Sequence, residues 1–120
     1  MCCNSSTYTA NTGTVNINTA NSNLNGTGAM GTVLTADVTK DGTQISSVTI
    51  KATGNTSQGM VRLFVDDTVN VRLLLEVPIP ATVQTGVVAS FGVSMGMSLQ
   101  LAPGCSLKAS TEVGDSFNVT

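Results

Sequence analysis

Two adjacent carboxylates, Asp66 and Asp67, are the residues whose types most directly suggest chemistry. Paired carboxylates can share a proton in acid–base catalysis, and hard cations accept carboxylate oxygens. Neighbouring side chains of a strand point to opposite faces, however, so these two carboxylates could not share a proton there. Their setting, DDTVN between two apolar runs, favours a solvated turn. A weak cation site completed by another chain's oxygens is the alternative, and we assign no metal ligand.

A glycine pattern offers a second kind of chemistry. Residues 26–31 read GTGAMG and match the G-x-G-x-x-G fingerprint of dinucleotide binding. That fingerprint requires a strand before it and a helix after it, whose N-terminus meets the pyrophosphate. Here NSNLN precedes the glycines and the strand-like TVLTADVT follows them. The context is wrong, so we predict no cofactor.

The remaining reactive side chains are three cysteines. The chain has no histidine, which removes the commonest general base and most zinc sites, so we predict no catalytic residue and no enzyme. Cys2 and Cys3 are neighbours, and a bridge between them would be strained. An odd cysteine count suggests an intermolecular partner or a free thiol, so Cys2, Cys3 and Cys105 are candidates for a disulfide between chains, or between the N-terminal residues and the rest of the chain. The alternative is that Cys105 is a small buried hydrophobe and the other two are idle.

Composition excludes several classes of function. Charged residues make up 10% of the chain, and its five cations are scattered, so no basic cluster is available to bind nucleic acid. No apolar run approaches the ~20 residues of a membrane span. The first residues, MCCNSSTYTANTG, lack the basic start and apolar stretch of a signal peptide. We expect a soluble protein without membrane or nucleic-acid partners.

The elements that must position these residues are strands. Residues 1–29 form a polar N-terminal arm in which Val15 and Ile17 allow one short strand, and residues 30–120 carry the hydrophobic pattern of a domain. About eight strands at spacings near ten residues, with no amphipathic helix, predict an all-β, antiparallel, jelly-roll-like β-sandwich. In residues 59–80, matched alternation around DDTVN predicts an antiparallel hairpin with its turn at 66–70. Its core face is predicted to hold seven aliphatic residues: Val61, Leu63, Val65, Val71, Leu73, Leu75 and Val77.

Several phrases of the sequence resemble one known family. GMVRLFVDD, NVRLLLEVPIPA and LQLAPGCSLKASTEVGDSFNVT follow one another in the second half, and ANSNLNGTGAMGTVLTADVTKDGTQISSVTIKATGNT precedes them. Together, over residues 20–120, they are similar to small virion proteins of tailed bacteriophages and prophages. The position after the PG turn, a bulky residue in that family, is Cys105 here, and the Cys2-Cys3 pair is also a departure.

The resemblance implies a β-sandwich on the phage particle, as a capsid decoration (cement) protein or a component of a head or tail fibre. We expect a non-enzymatic virion protein, assembled in the host cytoplasm and exposed on the particle. Its expected partners are copies of itself, as a homotrimer, and the major capsid or other virion proteins. One alternative is a fibre or adhesin module that binds a host glycan, although one Tyr and three Phe offer few aromatic platforms. Another is a glycan-processing enzyme on a jelly roll, which would need a carboxylate pair in a cleft.

Overall fold

The computed structural model describes residues 12–38 and 42–120. Eight strands and no helix are present in this part of the chain. The strands are β1 (Val15–Ile17), β2 (Gly31–Thr35), β3 (Thr43–Ala52), β4 (Gly59–Asp66), β5 (Val71–Ile79), β6 (Gly92–Leu101), β7 (Ser106–Thr111) and β8 (Phe117–Val119). No helix long and apolar enough to cross a membrane is found among the described residues.

The strands form two four-stranded antiparallel sheets. Sheet A has the order β1-β8-β3-β6, and sheet B has the order β2-β7-β4-β5. Only β4 and β5 are consecutive strands of the same sheet, and every other connection crosses from one sheet to the other. These crossings join the two sheets into one antiparallel β-sandwich. The predicted all-β sandwich is therefore confirmed.

The core lies between the sheets and is built almost entirely from aliphatic side chains. β3 shows the alternation of a half-buried strand, because Val48, Ile50 and Ala52 are buried while Lys51 is exposed. Phe117 is the one aromatic side chain of the buried inter-sheet cluster in the described part of the chain. Branched aliphatic residues suit this role because they pack well on a pleated surface.

The predicted hairpin is confirmed, and its predicted core face is partly wrong. β4 and β5 pair antiparallel, and Asp67 N–H donates to the carbonyl of Asn70 across the turn. Opposite Leu63 lies Leu75, but opposite Phe64 lies Leu73, so β5 contains one extra residue, a β-bulge. Because side chains alternate with period two, the extra residue moves the β5 residues before the bulge to the opposite face of the sheet. Leu73 is 37% exposed as a result, while Val65, Val71 and Leu75 are half-buried.

The N-terminal segment is joined to the sandwich where the structure describes it. Val15–Ile17 forms the predicted short strand and pairs with β8, with Val15 opposite Val119. Residues 12–29 thus contact the sandwich of their own chain, and Ile17 is buried in its core. Residues 1–11 lie outside the described part. The division into an arm (1–29) and a sandwich domain (30–120) stays a prediction.

A crossing segment, residues 18–30, covers the outer face of sheet B. Asn21 N–H donates to the carbonyl of Thr111 on β7, whereas Gly26 lies against Val71 on β5. Because β4 lies between β7 and β5, the segment crosses the outer face of β4. The close approach to Val71 and the positive φ of 82° at Gly26 both require glycine. Phe64 is fully buried although it alternates with Leu63 and therefore points away from the inter-sheet core, and we infer that the crossing segment covers it.

Candidate assembly surface

The carboxylates of Asp66 and Asp67 stabilise the hairpin turn. Asp66 Oδ1 accepts a hydrogen bond from the Thr68 N–H at 2.8 Å, and Asp67 Oδ1 accepts from the Val69 and Asn70 N–H groups at 3.0 and 2.6 Å. Thr68 has a positive φ of 75°, which these bonds hold in place. Lys108 Nζ lies 3.1 Å from Asp66 Oδ2. The turn interpretation is confirmed, and no group of three or more metal-binding side chains occurs among the described residues.

Protonation of these carboxylates should loosen the turn. The Thr68 N–H and then Lys108 hold the pKa of Asp66 below its ordinary value, and the Asn70 and Val69 N–H groups do the same for the pKa of Asp67. A lowered folded-state pKa stabilises the fold above the unfolded-state pKa, and this contribution is lost as pH falls through the folded-state pKa. We therefore expect the melting temperature to fall when the pH is lowered past about 4, near the ordinary Asp pKa.

The pH dependence can be assigned to the turn by substitution. Asp67→Ala removes the acceptor and should flatten the dependence of melting temperature on pH in the acid range. Asp67→Asn is the control, because it keeps an acceptor oxygen that does not titrate, and it should retain more stability at pH 7 than Asp67→Ala. An Asp67→Ala melting profile that parallels wild type through the acid range would contradict this assignment.

The other predicted motifs have structural roles in the fold. Gly31, the last glycine of the GTGAMG pattern, begins strand β2 and not a helix, so the dinucleotide context is absent. Cys105 is a free thiol, half-buried against the core, and its carbonyl accepts the Ala36 N–H. Cys2 and Cys3 lie outside the described residues. The disulfide between chains involving Cys2, Cys3 and Cys105 stays a prediction.

A charged cluster lies on the outer face of sheet B, where the crossing segment passes. Arg62, whose side chain is 7% exposed, donates from Nε to Glu76 Oε2 at 2.9 Å across the β4–β5 pair. Its second terminal nitrogen lies 3.6 Å from Glu112 Oε2. Both carboxylates are more than a third exposed, so water reduces the strength of these pairs. The two carboxylates thus compensate the charge of a buried guanidinium.

The four edges of the sandwich differ in how they discourage pairing with another chain. Short strands, bulges, prolines and charges all protect an edge. β1 has three residues, β2 has five with an irregular register, and β5 carries Arg72, Glu76 and Pro78. β6 has ten residues, Gly92–Leu101, pairs only with β3 among the described strands, and contains no charge and no proline; its one irregularity is a register shift opposite Ile45–Ser47. β6 is therefore the edge best suited to contact another molecule.

The surface next to β6 is also uncharged and partly apolar. We define the uncharged edge as the β5–β6 connection, residues 80–91, together with β6. Val83 and Val87 are exposed in the connection, and Met95 and Met97 of β6 are only half-buried. Depletion of charge is the compositional signature of the centre of a protein–protein interface. The uncharged edge is therefore the candidate surface for association.

Sequence reasoning missed this surface, although its signal is present in the sequence. None of the twelve Asp, Glu, Lys and Arg residues lies between Glu76 and Lys108. The alternation of apolar residues was used to predict strands, whereas the long gap between charges was not used to identify an edge. An uncharged strand followed and preceded by uncharged loops is unusual for an edge exposed to water.

Comparisons with known proteins give little further information. No protein-family model matches the chain, and no curated protein matches it. A solved structure, the crystal structure of a pentameric capsid protein isolated from metagenomic phage sequences, is similar at a TM-score of 0.38 and 15% sequence identity. The match covers 88% of this chain and 60% of that chain. This likeness is too weak to support an argument about the present chain, which spans about 60% of that protein's length.

Proposed function

We propose that this chain is a non-enzymatic structural protein of a bacteriophage virion, a capsid decoration (cement) protein that stabilises the shell through symmetric self-association. The observation that carries the proposal is the uncharged edge, because a long edge strand without charge or proline can pair with another chain, and depletion of charge is typical of the centre of an interface. The resemblance of residues 20–120 to small phage virion proteins supplies the biological setting. The proposed partners are copies of this chain, as a homotrimer, and the major capsid or other virion proteins.

The aromatic side chains favour this proposal over a glycan-binding adhesin. Glycan recognition would favour exposed aromatic platforms. Phe64 and Phe117 are fully buried, and Phe91 is half-buried against the core. Tyr8, the one tyrosine, lies outside the described residues. Exposed aromatic platforms are thus absent from the part of the chain that the structure describes.

Sedimentation velocity tests the self-association on which the proposal depends. The wild-type chain should sediment as an oligomer, and Met97→Lys should shift it to monomer. Met97 points inward from β6 and is half-buried, so a lysine there places a charge at the interface while its long stem still covers the core. Val69→Lys is the control, because Val69 is exposed at the β4–β5 turn, away from the uncharged edge. A wild-type chain that stays monomeric at every concentration contradicts the proposal.

The place on the virion needs a separate experiment. Antibodies raised against the chain should label the heads of intact particles of a phage that encodes it, at positions that repeat with the symmetry of the shell. Label confined to the tail or fibres would support the alternative fibre component. Particles in which mass spectrometry detects no copy of the chain would overturn the virion assignment altogether.

A further inference from the structure

A groove lies beside β3, on the edge opposite β6. β6 pairs with one edge of β3 from Thr43 to Lys51, whereas β8 pairs with the other edge only at residues 50–52. Backbone bonds between Thr49 and Thr120 extend the β8 side by one residue. From residue 43 to 48 this second edge has no strand partner in the part of the chain that the structure describes. The space beside it, which we call the β3 groove, has a volume of about 250 Å³.

The β3 groove is uncharged and has an apolar floor. Ile45 and Val48 of β3 line it from sheet A, and Val33, Leu34 and Leu107 line it from sheet B; of these, Leu34 is half-buried and the other four are buried. Thr12 and Gly13 of the N-terminal segment also line it. Ser46 and Ser47 are exposed at its rim. None of the lining residues is charged. Such a concavity accepts an uncharged side chain or turn better than a charged one, because nothing there would compensate the desolvation of a charge.

The uncharged edge contains a hydrogen-bonded turn with an exposed apolar tip, residues 85–88, which we call the knob. Thr85 N–H donates to the carbonyl of Val88, and the Val87 and Val88 N–H groups both donate to Thr85 Oγ1. The tip of this turn is Val87, which is 96% exposed. Turn tips are dominated by Gly, Pro, Asn, Asp and Ser, so a bare valine there is unusual. The three hydrogen bonds fix the turn before any partner arrives, which reduces the ordering cost of binding.

The knob cannot fill the groove of its own chain. The connection that carries Val87 is anchored near the C-terminal end of β3, by Ala52 N–H to the Phe91 carbonyl and by Gln84 N–H to Asn55. The groove lies beside the other half of β3 and on its other edge. At 3.3 Å per residue, the distance along β3 from Ala52 to Ser46 is about 20 Å. A groove and a knob that cannot meet within one copy can meet between two copies.

We propose that the Val87 turn of one copy binds the β3 groove of a second copy, in a head-to-tail contact. The inference rests on the proposed self-association and identifies its partner surface. A head-to-tail contact uses two different patches, so it generates a closed ring if the rotation closes and a filament if it does not. The proposed homotrimer is one such ring. In each contact, the uncharged edge of one copy contributes the Val87 turn, and the next copy contributes the β3 groove.

Two variants, mixed, test the head-to-tail geometry by sedimentation velocity. Val87→Asp disables the knob and leaves the groove intact, whereas Ser47→Glu charges the groove rim and leaves the knob intact. Both positions are exposed, so both variants should fold, as circular dichroism will show. Each variant alone should sediment as monomer, and an equimolar mixture should give 1:1 dimers and nothing larger, because only one productive contact remains. Val69→Asp, an exposed position at the β4–β5 turn and outside the uncharged edge, should behave as wild type.

The outcomes separate this inference from the function on which it rests. Monomeric variants with dimers in the mixture support the head-to-tail contact. If the wild type is oligomeric and either Val87→Asp or Ser47→Glu associates equally well, the head-to-tail contact is overturned, whereas self-association still holds. Monomeric variants whose mixture stays monomeric also overturn it. Monomeric wild type overturns both proposals.

Discussion

Phe64→Ala should lower the free energy of unfolding by about 3–5 kcal/mol, the range for removing a buried phenylalanine ring. Phe64 is fully buried, yet it belongs to the outer face of sheet B and not to the inter-sheet core. Its cover is the crossing segment, which passes from β7 to β5. The truncation therefore leaves a cavity between β4 and that segment. Urea unfolding followed by circular dichroism measures the loss.

Leu73→Ala is the matched control for this experiment. Leu73 lies directly opposite Phe64 on β5 and is 37% exposed. A residue that is already partly in contact with water loses less on truncation, so we expect a cost of about 1 kcal/mol or less, below the range for core Leu→Ala changes. Equal costs for the two substitutions would show that the crossing segment does not shield Phe64.

Asn21→Ala should lower the free energy of unfolding by about 2 kcal/mol, from the cost of leaving buried polar groups without partners. Asn21 is 6% exposed. Its amide nitrogen donates to the carbonyls of Thr27 and Ala29 at 2.9 and 2.7 Å, and its amide oxygen accepts the Asn23 N–H at 3.0 Å. One side chain thus closes the loop of the crossing segment on itself. Without it, residues 22–28 should exchange their amide hydrogens faster while the sheets stay protected.

Asn23→Ala separates this role from a general effect of removing asparagine. The Asn23 amide nitrogen also donates to the carbonyl and the hydroxyl of Thr27. Asn23 is exposed, however, so water can replace both bonds. We expect a change within about 0.5 kcal/mol, as for surface substitutions elsewhere. A loss as large as that of Asn21→Ala would contradict the argument from burial. Faster exchange throughout β7 and β4 would contradict the local nature of the change.

Strand pairing in the hairpin could be predicted from the sequence, whereas the burial of individual side chains could not. Alternation in MVRLFVDD and VRLLLEV identifies two strands, and DDTVN identifies the turn. The bulge opposite Leu63 is not visible in that alternation, because Leu73, Leu74 and Leu75 are all apolar and fit either phase. Alternation in the sequence places Phe64 on the face opposite Leu63, but it gives no sign that residues 18–30 lie over that face. Contacts this distant in sequence leave no local pattern.

The candidate surface was predictable in part. The gap between Glu76 and Lys108 is visible in the sequence, but its meaning depends on β6 being an edge strand, which only the sheet order shows. The β3 groove could not be predicted at all. It arises because β3 has ten residues and β8 has three, and the lengths of paired strands are not encoded by either strand alone.

The pairing of β1 with β8 sets the order in which this chain can fold. Val15 lies opposite Val119, so the first strand described cannot complete its sheet until the last one has been synthesised. On the ribosome, β4 and β5 can pair as soon as they emerge, because they are neighbours in sequence. β7, which completes the centre of sheet B, and β8, which joins β1 to β3, arrive last. Closing such distant contacts is entropically costly and slow. Strand edges of both sheets therefore stay unpaired until β7 and β8 have emerged, and a contact that needs the completed sheets can form only after that point.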